Sequence, residues 1–195
     1  MKAQIRNIIK TGLLLTAFTV VSQANAGLFL RDGGMVYDDV LDITWLQDAN
    51  YAKTSGYDDN GLMSWEQANT WVDNLVYGGY DDWRLFNVSF DFSHCINNSL
   101  AWSNDSTCQD AESVHLFYED FGLTPGQTYG QTTGEGRDNY NLFTNIGNSY
   151  YWSGTQNLDT GAISVFAPFI GFDAINYPAG QSYAWAVLLA FIPFT

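Results

Sequence analysis

Oxygen-bearing side chains gathered at turns are the part of this chain best suited to chemistry. Asp58-Asp59-Asn60-Gly61 clusters carboxylate and amide oxygens as calcium ligands are clustered. The run lacks the spacing and distal glutamate of an EF-hand, and Asn-Gly is by itself a strong turn signal. Asp81-Asp82-Trp83-Arg84 follows Gly78-Gly79-Tyr80, so acid, aromatic and base share one turn. Arg84 is the only Lys or Arg between Lys53 and Arg137. A local ion pair with Asp81 or Asp82 that locks the turn is therefore expected, with a contribution to a calcium site as the other reading.

Other chemistry finds less support in the spacing. His94 and His115 lack neighbours that would complete a Ser-His-Asp set or a zinc site, and a surface or helix-flank position is expected for both. Glu66, Glu112, Glu119 and Glu135 could in principle supply a glycosidase pair. Glu66 is already explained by a helix first turn, and the others have no marked setting. Trp102 and Tyr129 fall in polar stretches outside any apolar periodicity. They could stack on a sugar face or form a small satellite cluster that covers a loop, and the sequence leaves these two level.

These residues need elements to position them. Leu28–Leu30, a turn at Arg31-Asp32-Gly33-Gly34, Met35–Tyr37 and, after Asp38-Asp39, Ile43–Leu46 read as a small antiparallel meander. Ser64 with Gln67 has capping-box spacing, and Ala68, Trp71, Val72 and Leu75 recur at helical intervals. Gly78-Gly79 ends that helix, and Trp83-Arg84-Leu85 follows as a short strand. A second helix starts near Asp110, with Val114, Phe117, Tyr118 and Phe121 on one face and Gly122 as a stop. Residues 124–141 read as loop. Tyr150–Ser153, Ala162–Phe166 and Tyr183–Leu188 read as strands, so sheet at both ends with helices between suggests that the termini meet in one sheet. The expected class is α+β, with a mainly antiparallel mixed sheet, two helices and long loops.

Composition bounds the setting. Residues 1–26 carry Lys2, Arg6 and Lys10, then an apolar run from Leu13 to Val21, then Ala24-Asn25-Ala26. This pattern is that of a bacterial secretory signal peptide, too short in its apolar part to span a bilayer comfortably. Residues 27–195 are then expected to form one domain, extracytoplasmic in periplasm, at the cell surface or secreted, with no transmembrane segment after cleavage. Three of the seven basic residues leave with the leader and none of the 21 acidic ones, so four face 21 and the net charge becomes −17. Such a surface excludes nucleic acid as partner and repels anionic lipid or sulfated polysaccharide unless a divalent cation bridges the two. In an oxidising compartment Cys95 and Cys108, the only cysteines, are expected to form one disulfide, worth about 3 kcal/mol by loop entropy. They are not in Cys-x-x-Cys spacing and have no Lys or Arg nearby to stabilise a thiolate.

The order of motifs carries a resemblance. Trp45-Leu46-Gln47-Asp48-Ala49-Asn50, Ser64-Trp65-Glu66-Gln67-Ala68, Gly79-Tyr80-Asp81-Asp82-Trp83-Arg84-Leu85, Tyr151-Trp152-Ser153-Gly154-Thr155 and Tyr183-Ala184-Trp185-Ala186-Val187 span nearly all of residues 27–195. In this order they resemble the Lcl C-terminal domain family, named for the end domain of a bacterial collagen-like adhesin. The resemblance implies a C-type-lectin-like fold related to that of the sulfatase-modifying-factor enzymes, and a trimeric, glycosaminoglycan-recognising head in the best-known member. Phe86 stands where family members usually have proline, and Leu188–Thr195 replaces the usual arginine and Gly-Asp ending.

Together these readings point to an exported, non-catalytic binding or adhesion domain. Its expected partner is a surface glycan or an envelope protein, with calcium as the candidate cofactor and an oligomer allowed. Two alternatives stand beside it. One is a secreted enzyme, a hydrolase or a cysteine-dependent oxidase related to the sulfatase-modifying factors. The other is a structural subunit of an envelope assembly, joined through the apolar tail after Val187.

Overall fold

A computed structural model describes residues 27–88, 111–124, 126–167, 172–176 and 178–189. The expected leader, His94, Cys95, Trp102, Cys108 and the tail from Ala190 lie outside the described residues.

The opening meander forms as its alternation requires. Strands β1 (Leu28–Arg31), β2 (Met35–Asp38) and β3 (Ile43–Leu46) pair antiparallel, with Leu28 opposite Asp38 and Asp38 opposite Ile43. Gly33 and Gly34 take the left-handed angles that the first turn needs, at φ +82° and +78°. Asp38 does more than interrupt: its Oδ1 accepts the Val40 and Leu41 N–H groups at 3.0 Å each and so caps the second turn. Every residue of β2 and β3 is buried, so this part of the sheet is covered on both faces.

Helix α1 is one turn, Tyr51–Thr54, and helix α2 spans Trp65–Asp73. The Ser64–Gln67 capping box is made in both directions, the Gln67 N–H reaching Ser64 Oγ at 3.3 Å and the Ser64 N–H reaching Gln67 Oε1 at 2.9 Å. Ala68, Trp71 and Val72 are buried on its inner face, and Leu75 is buried just past its end. Strand β4 is Arg84–Leu85. Phe86 buries its ring 6.0 Å from that of Trp45, and its carbonyl accepts the Gly154 N–H at 2.8 Å.

The second expected helix is present but changes pitch. Helix α3, Glu112–His115, runs into a π-helical turn at Leu116–Asp120, where the Phe121 N–H bonds the Leu116 carbonyl five residues back at 3.0 Å. Gly122, at φ +60°, and a 3.3 Å bond from the Leu123 N–H to the Phe117 carbonyl then stop it, as in a Schellman cap. Val114, Phe117, Tyr118 and Phe121 are all buried.

Two departures from the expected layout have clear causes. Residues 124–141, expected as loop, hold a 3₁₀ turn at Tyr129–Gln131 and helix α4 at Gly134–Tyr140. A Cβ on Gly136 would lie 2.2 Å from the Phe121 carbonyl oxygen, so glycine there lets α4 dock against the end of the π turn. Close packing outweighs the poor helix propensity that the glycines signal.

The second departure concerns the last strands. Strands β5 (Tyr151–Gln156), β6 (Ile163–Ala167), β7 (Phe172–Asn176) and β8 (Tyr183–Ala184) form a sheet in the order β7-β6-β5-β8, with only β5 and β8 parallel. Strand β9 (Ala186–Leu188) belongs to the other sheet, in the order β1-β2-β3-β9-β4, all antiparallel. The run Tyr183–Leu188, expected as one strand, is therefore cut at Trp185. Its ring lies 5.1 Å from Trp45, 5.1 Å from Phe143 and 5.7 Å from Tyr151, and its Nε1 donates to the Leu46 carbonyl at 2.8 Å. A side chain anchored this way turns the backbone from one sheet into the other.

The class is mixed α+β, with mainly antiparallel sheets and a few helices, and the N-terminal strands share a sheet with β9. One buried cluster runs from Leu28 through Trp152 to Leu188. Among the described residues no helix is long and apolar enough to cross a membrane.

Replacing Trp185 with Phe removes the donor to the Leu46 carbonyl and part of the ring contact, for an expected loss of about 2–3 kcal/mol. Urea unfolding measures this, and a loss below about 0.5 kcal/mol, the usual surface range, would show that the corner does not depend on the indole.

Candidate functional site

Asp58, Asp59 and Asn60 lie on the connection between α1 and α2, and two of them direct oxygens at their own turn. Asp58 Oδ1 accepts the Asn60 N–H at 3.0 Å and the Gly61 N–H at 2.6 Å, and Asn60 Oδ1 accepts the Leu62 N–H at 2.7 Å. Asp59 is exposed. Gly61 closes the turn at φ +81°, where a Cβ would sit 1.9 Å from Asn50 Oδ1. Gly56, at φ +77°, has open space around it. Left-handed strain costs about 1–2 kcal/mol at either position on substitution by Ala. Gly61→Ala is expected to cost about 1–3 kcal/mol more than Gly56→Ala, because only the former overpacks against buried Asn50. Thermal melts of the two variants test this, and equal losses would remove Asn50 from the account.

Arg84 does not lock its own turn. Its guanidinium pairs two-pronged with Glu112, Nη1 to Oε2 at 2.9 Å and Nη2 to Oε1 at 2.5 Å, while Asp81 and Asp82 stay exposed. Glu112 Oε2 also accepts the Asn87 N–H at 2.7 Å, and Arg84 Nη1 also reaches the Leu85 carbonyl at 3.0 Å. The expected local pair is thus replaced by a longer-range one, because Glu112 offers a two-oxygen fork in a buried setting where the charge-assisted bonds meet less competition from water. Trp83 is buried, and its Nε1 donates to the Tyr77 carbonyl at 3.2 Å.

Glu112→Ala leaves a half-buried guanidinium and the Asn87 N–H without their acceptor, an expected loss of about 3 kcal/mol. Asp81→Asn and Asp82→Asn are expected to stay within about 0.5 kcal/mol of the parent. Chemical denaturation of the three variants discriminates, and a large effect at Asp81 or Asp82 would reinstate the local pair.

Tyr129 is half-buried on the 3₁₀ turn. Its ring stacks on Tyr140 at 4.8 Å and 29°, and meets Phe121 edge-on at 5.8 Å. Burial pushes its hydroxyl well above the ordinary tyrosine range. That environment is an aromatic cluster shared with Phe117 and Phe121.

The residues that converge most closely were not singled out by spacing. Asp38 at the end of β2, His115 at the end of α3 and Asp120 at the end of the π turn each bring one donor atom within 4.8 Å of the other two. Among the described residues they are the only group of this kind. In an α-helix, residues five apart are separated by about 140° around the axis, since each residue turns about 100°. The π turn widens the helix so that five residues make about one turn, which brings His115 and Asp120 to the same side.

The cluster is closed to solvent. Asp38 is 0 % exposed, and the side chains of His115 and Asp120 are 10 % and 5 % exposed. His115 Nε2 and Asp120 Oδ2 stand 3.7 Å apart, beyond hydrogen-bond length. Those two atoms and Asp38 Oδ2 are buried and have no hydrogen-bond partner among the described residues. Burial raises the Asp38 carboxyl above its usual range, against the pull of its two backbone donors. Burial also pushes Asp120 up to about 8, with further increments from Asp38, Glu119 and Asp39. Two carboxylates confined together disfavour joint ionisation unless a positive charge sits between them.

From sequence alone Asp38 reads as a break and His115 as a surface or helix-flank residue, and nothing marks Asp120. A five-residue interval fits neither a strand nor an α-helical face, so no periodic signal marks it. Compared with known proteins, the chain matches no family model, no curated relative and no solved structure.

Proposed function

We propose that this chain is an exported bacterial binding or adhesion domain, non-catalytic and glycan-recognising, with a C-type-lectin-like fold and its ligand surface in the connections between scaffold elements. The observation that carries the reading is the use made of the five ordered sequence blocks: each ties distant backbone segments together. Gln47 and Ala49 exchange hydrogen bonds with Leu142 and Thr144, and Asp48 holds Asn145 at 2.9 Å. Trp65 Nε1 donates to the Ser153 carbonyl at 2.9 Å and Trp152 Nε1 to the Met63 carbonyl at 2.7 Å, joining the start of α2 to β5. Arg84 joins β4 to α3 through Glu112, and Trp185 joins the two sheets.

With the blocks committed to scaffold, recognition falls to the segments they display. The connection from α1 to α2 carries Tyr57, half exposed at 50 %, next to Asp58, Asp59 and Asn60. An exposed ring beside carboxylate and amide oxygens is a combination suited to a sugar, whose C–H face stacks on the ring while its hydroxyls donate to the oxygens. The acidity of the chain favours neutral or basic saccharides over sulfated ones.

A glycan array probed with the purified chain, once with calcium and once with chelator, tests this reading. Binding to a defined neutral glycan is expected, weakened at least tenfold by Tyr57→Ala with the melting temperature unchanged. Failure to bind any glycan or bacterial surface in either condition would overturn it.

A further inference from the structure

We propose that Asp38, His115 and Asp120 form an interior binding site for one first-row divalent transition metal ion, of which zinc is the representative. The site lies apart from the displayed connections assigned to ligand binding and does not depend on that assignment.

Three independent observations converge on it. First, Asp38 from β2 and His115 and Asp120 from one helical segment each bring a donor atom within 4.8 Å of the other two, and each has a buried side-chain atom without a hydrogen-bond partner among the described residues. Leaving one such atom unpaired costs free energy, and leaving three at one point is hard to reconcile with a finished interior. Second, the spacing fits a shared ion better than a direct bond. Ligand atoms bound at about 2.1 Å in tetrahedral geometry lie about 3.4 Å from one another. The 3.7 Å between His115 Nε2 and Asp120 Oδ2 is close to that, and Asp38 offers a donor atom within 4.8 Å of theirs. Third, Asp38 is fixed in advance: its Oδ1 is held by the Val40 and Leu41 N–H groups, which leaves Oδ2 as the free oxygen. Backbone bonds to one carboxylate oxygen orient the other as outer-shell partners orient metal ligands.

The donor set selects the ion. One imidazole nitrogen with two carboxylate oxygens suits zinc and its neighbours, whereas calcium and magnesium prefer oxygen throughout. A charge of +2 balances the two carboxylates and resolves the repulsion between them. Three protein ligands leave a fourth position for water, but the near-complete burial gives no room for a substrate of any size. The ion is therefore structural. It ties the end of β2 to the end of the π turn, across a long interval of sequence.

The test uses the purified full chain, stripped with chelator and dialysed. Zinc is added, with stoichiometry read by elemental analysis and stability by thermal melting. One zinc per chain is expected, and at about a hundredfold excess over the dissociation constant the melting temperature rises by about 5–10 °C. Calcium and magnesium at equal concentration produce no comparable rise. The near-isosteric variants His115→Gln and Asp120→Asn, checked for folding by circular dichroism, are expected to bind zinc at least tenfold more weakly and to lose the shift. Cobalt substitution gives a readout that needs no variant, since visible absorption of a low-coordinate mixed nitrogen and oxygen site appears only if the ion enters. Absence of zinc uptake and of a cobalt spectrum in the parent chain overturns the proposal, as does undiminished uptake in both variants. The first outcome leaves a pocket that holds only protons or water, and neither bears on glycan binding.

Discussion

The fold depends on what happens at Trp185. Within six residues the chain leaves a parallel pairing with β5 and enters a slot between β3 and β4. A continuous strand could not serve both sheets, because their hydrogen-bonding edges are separate. The indole sits at the point of transfer, hydrogen-bonded to the Leu46 carbonyl and packed against Trp45, Phe143 and Tyr151. Since β9 lies inside its sheet, loss of the corner would detach β4 from β3 and release the Arg84–Glu112 bridge with it. Burial at this corner is collective: the same rings close the gap between sheets and supply the apolar medium in which the indole bond is strong.

One short helical segment carries two polar sites in opposite states. At its start, Glu112 has both oxygens occupied, by a guanidinium and a backbone N–H. At its end, His115, Asp120 and the facing Asp38 each have a buried atom without a hydrogen-bond partner among the described residues. Both are interior, so the difference is not one of solvent. The first is complete within the chain, and the second sets one imidazole beside two buried carboxyl groups.

Much of the scaffold was legible because local chemistry specified it. Gly33-Gly34 between apolar runs encodes the first hairpin, and Ser64 with Gln67 encodes the start of α2. What escaped was set by contacts far apart in sequence. The choice of Glu112 over Asp81 or Asp82 as partner of Arg84 depends on where α3 docks. Helix α4 forms in spite of Gly134 and Gly136, because the approach to the Phe121 carbonyl admits no side chain. An unbroken β-type run at Tyr183–Leu188 gives no hint that its middle residue is a corner. The side-chain oxygens of Asp58 and Asn60 were visible, but their role in the turn depended on backbone angles that only Gly61 hinted at. The pairing of His115 with Asp120 depends on a helical pitch for which amphipathic periodicity has no template.

That pitch has an evolutionary side. A π turn accommodates one residue more than the α-helical turn it replaces, so it can arise from, or be erased by, a single in-frame codon insertion or deletion. Removing one residue between Leu116 and Glu119 would restore ordinary helix and bring the remaining positions back into α register. It would leave Asp120 four residues from His115, about 40° around an α-helix and so still on the same side. The meeting of acid and imidazole beneath β2 therefore survives that step, and what the deletion removes is one of the two buried rings between them, Phe117 or Tyr118.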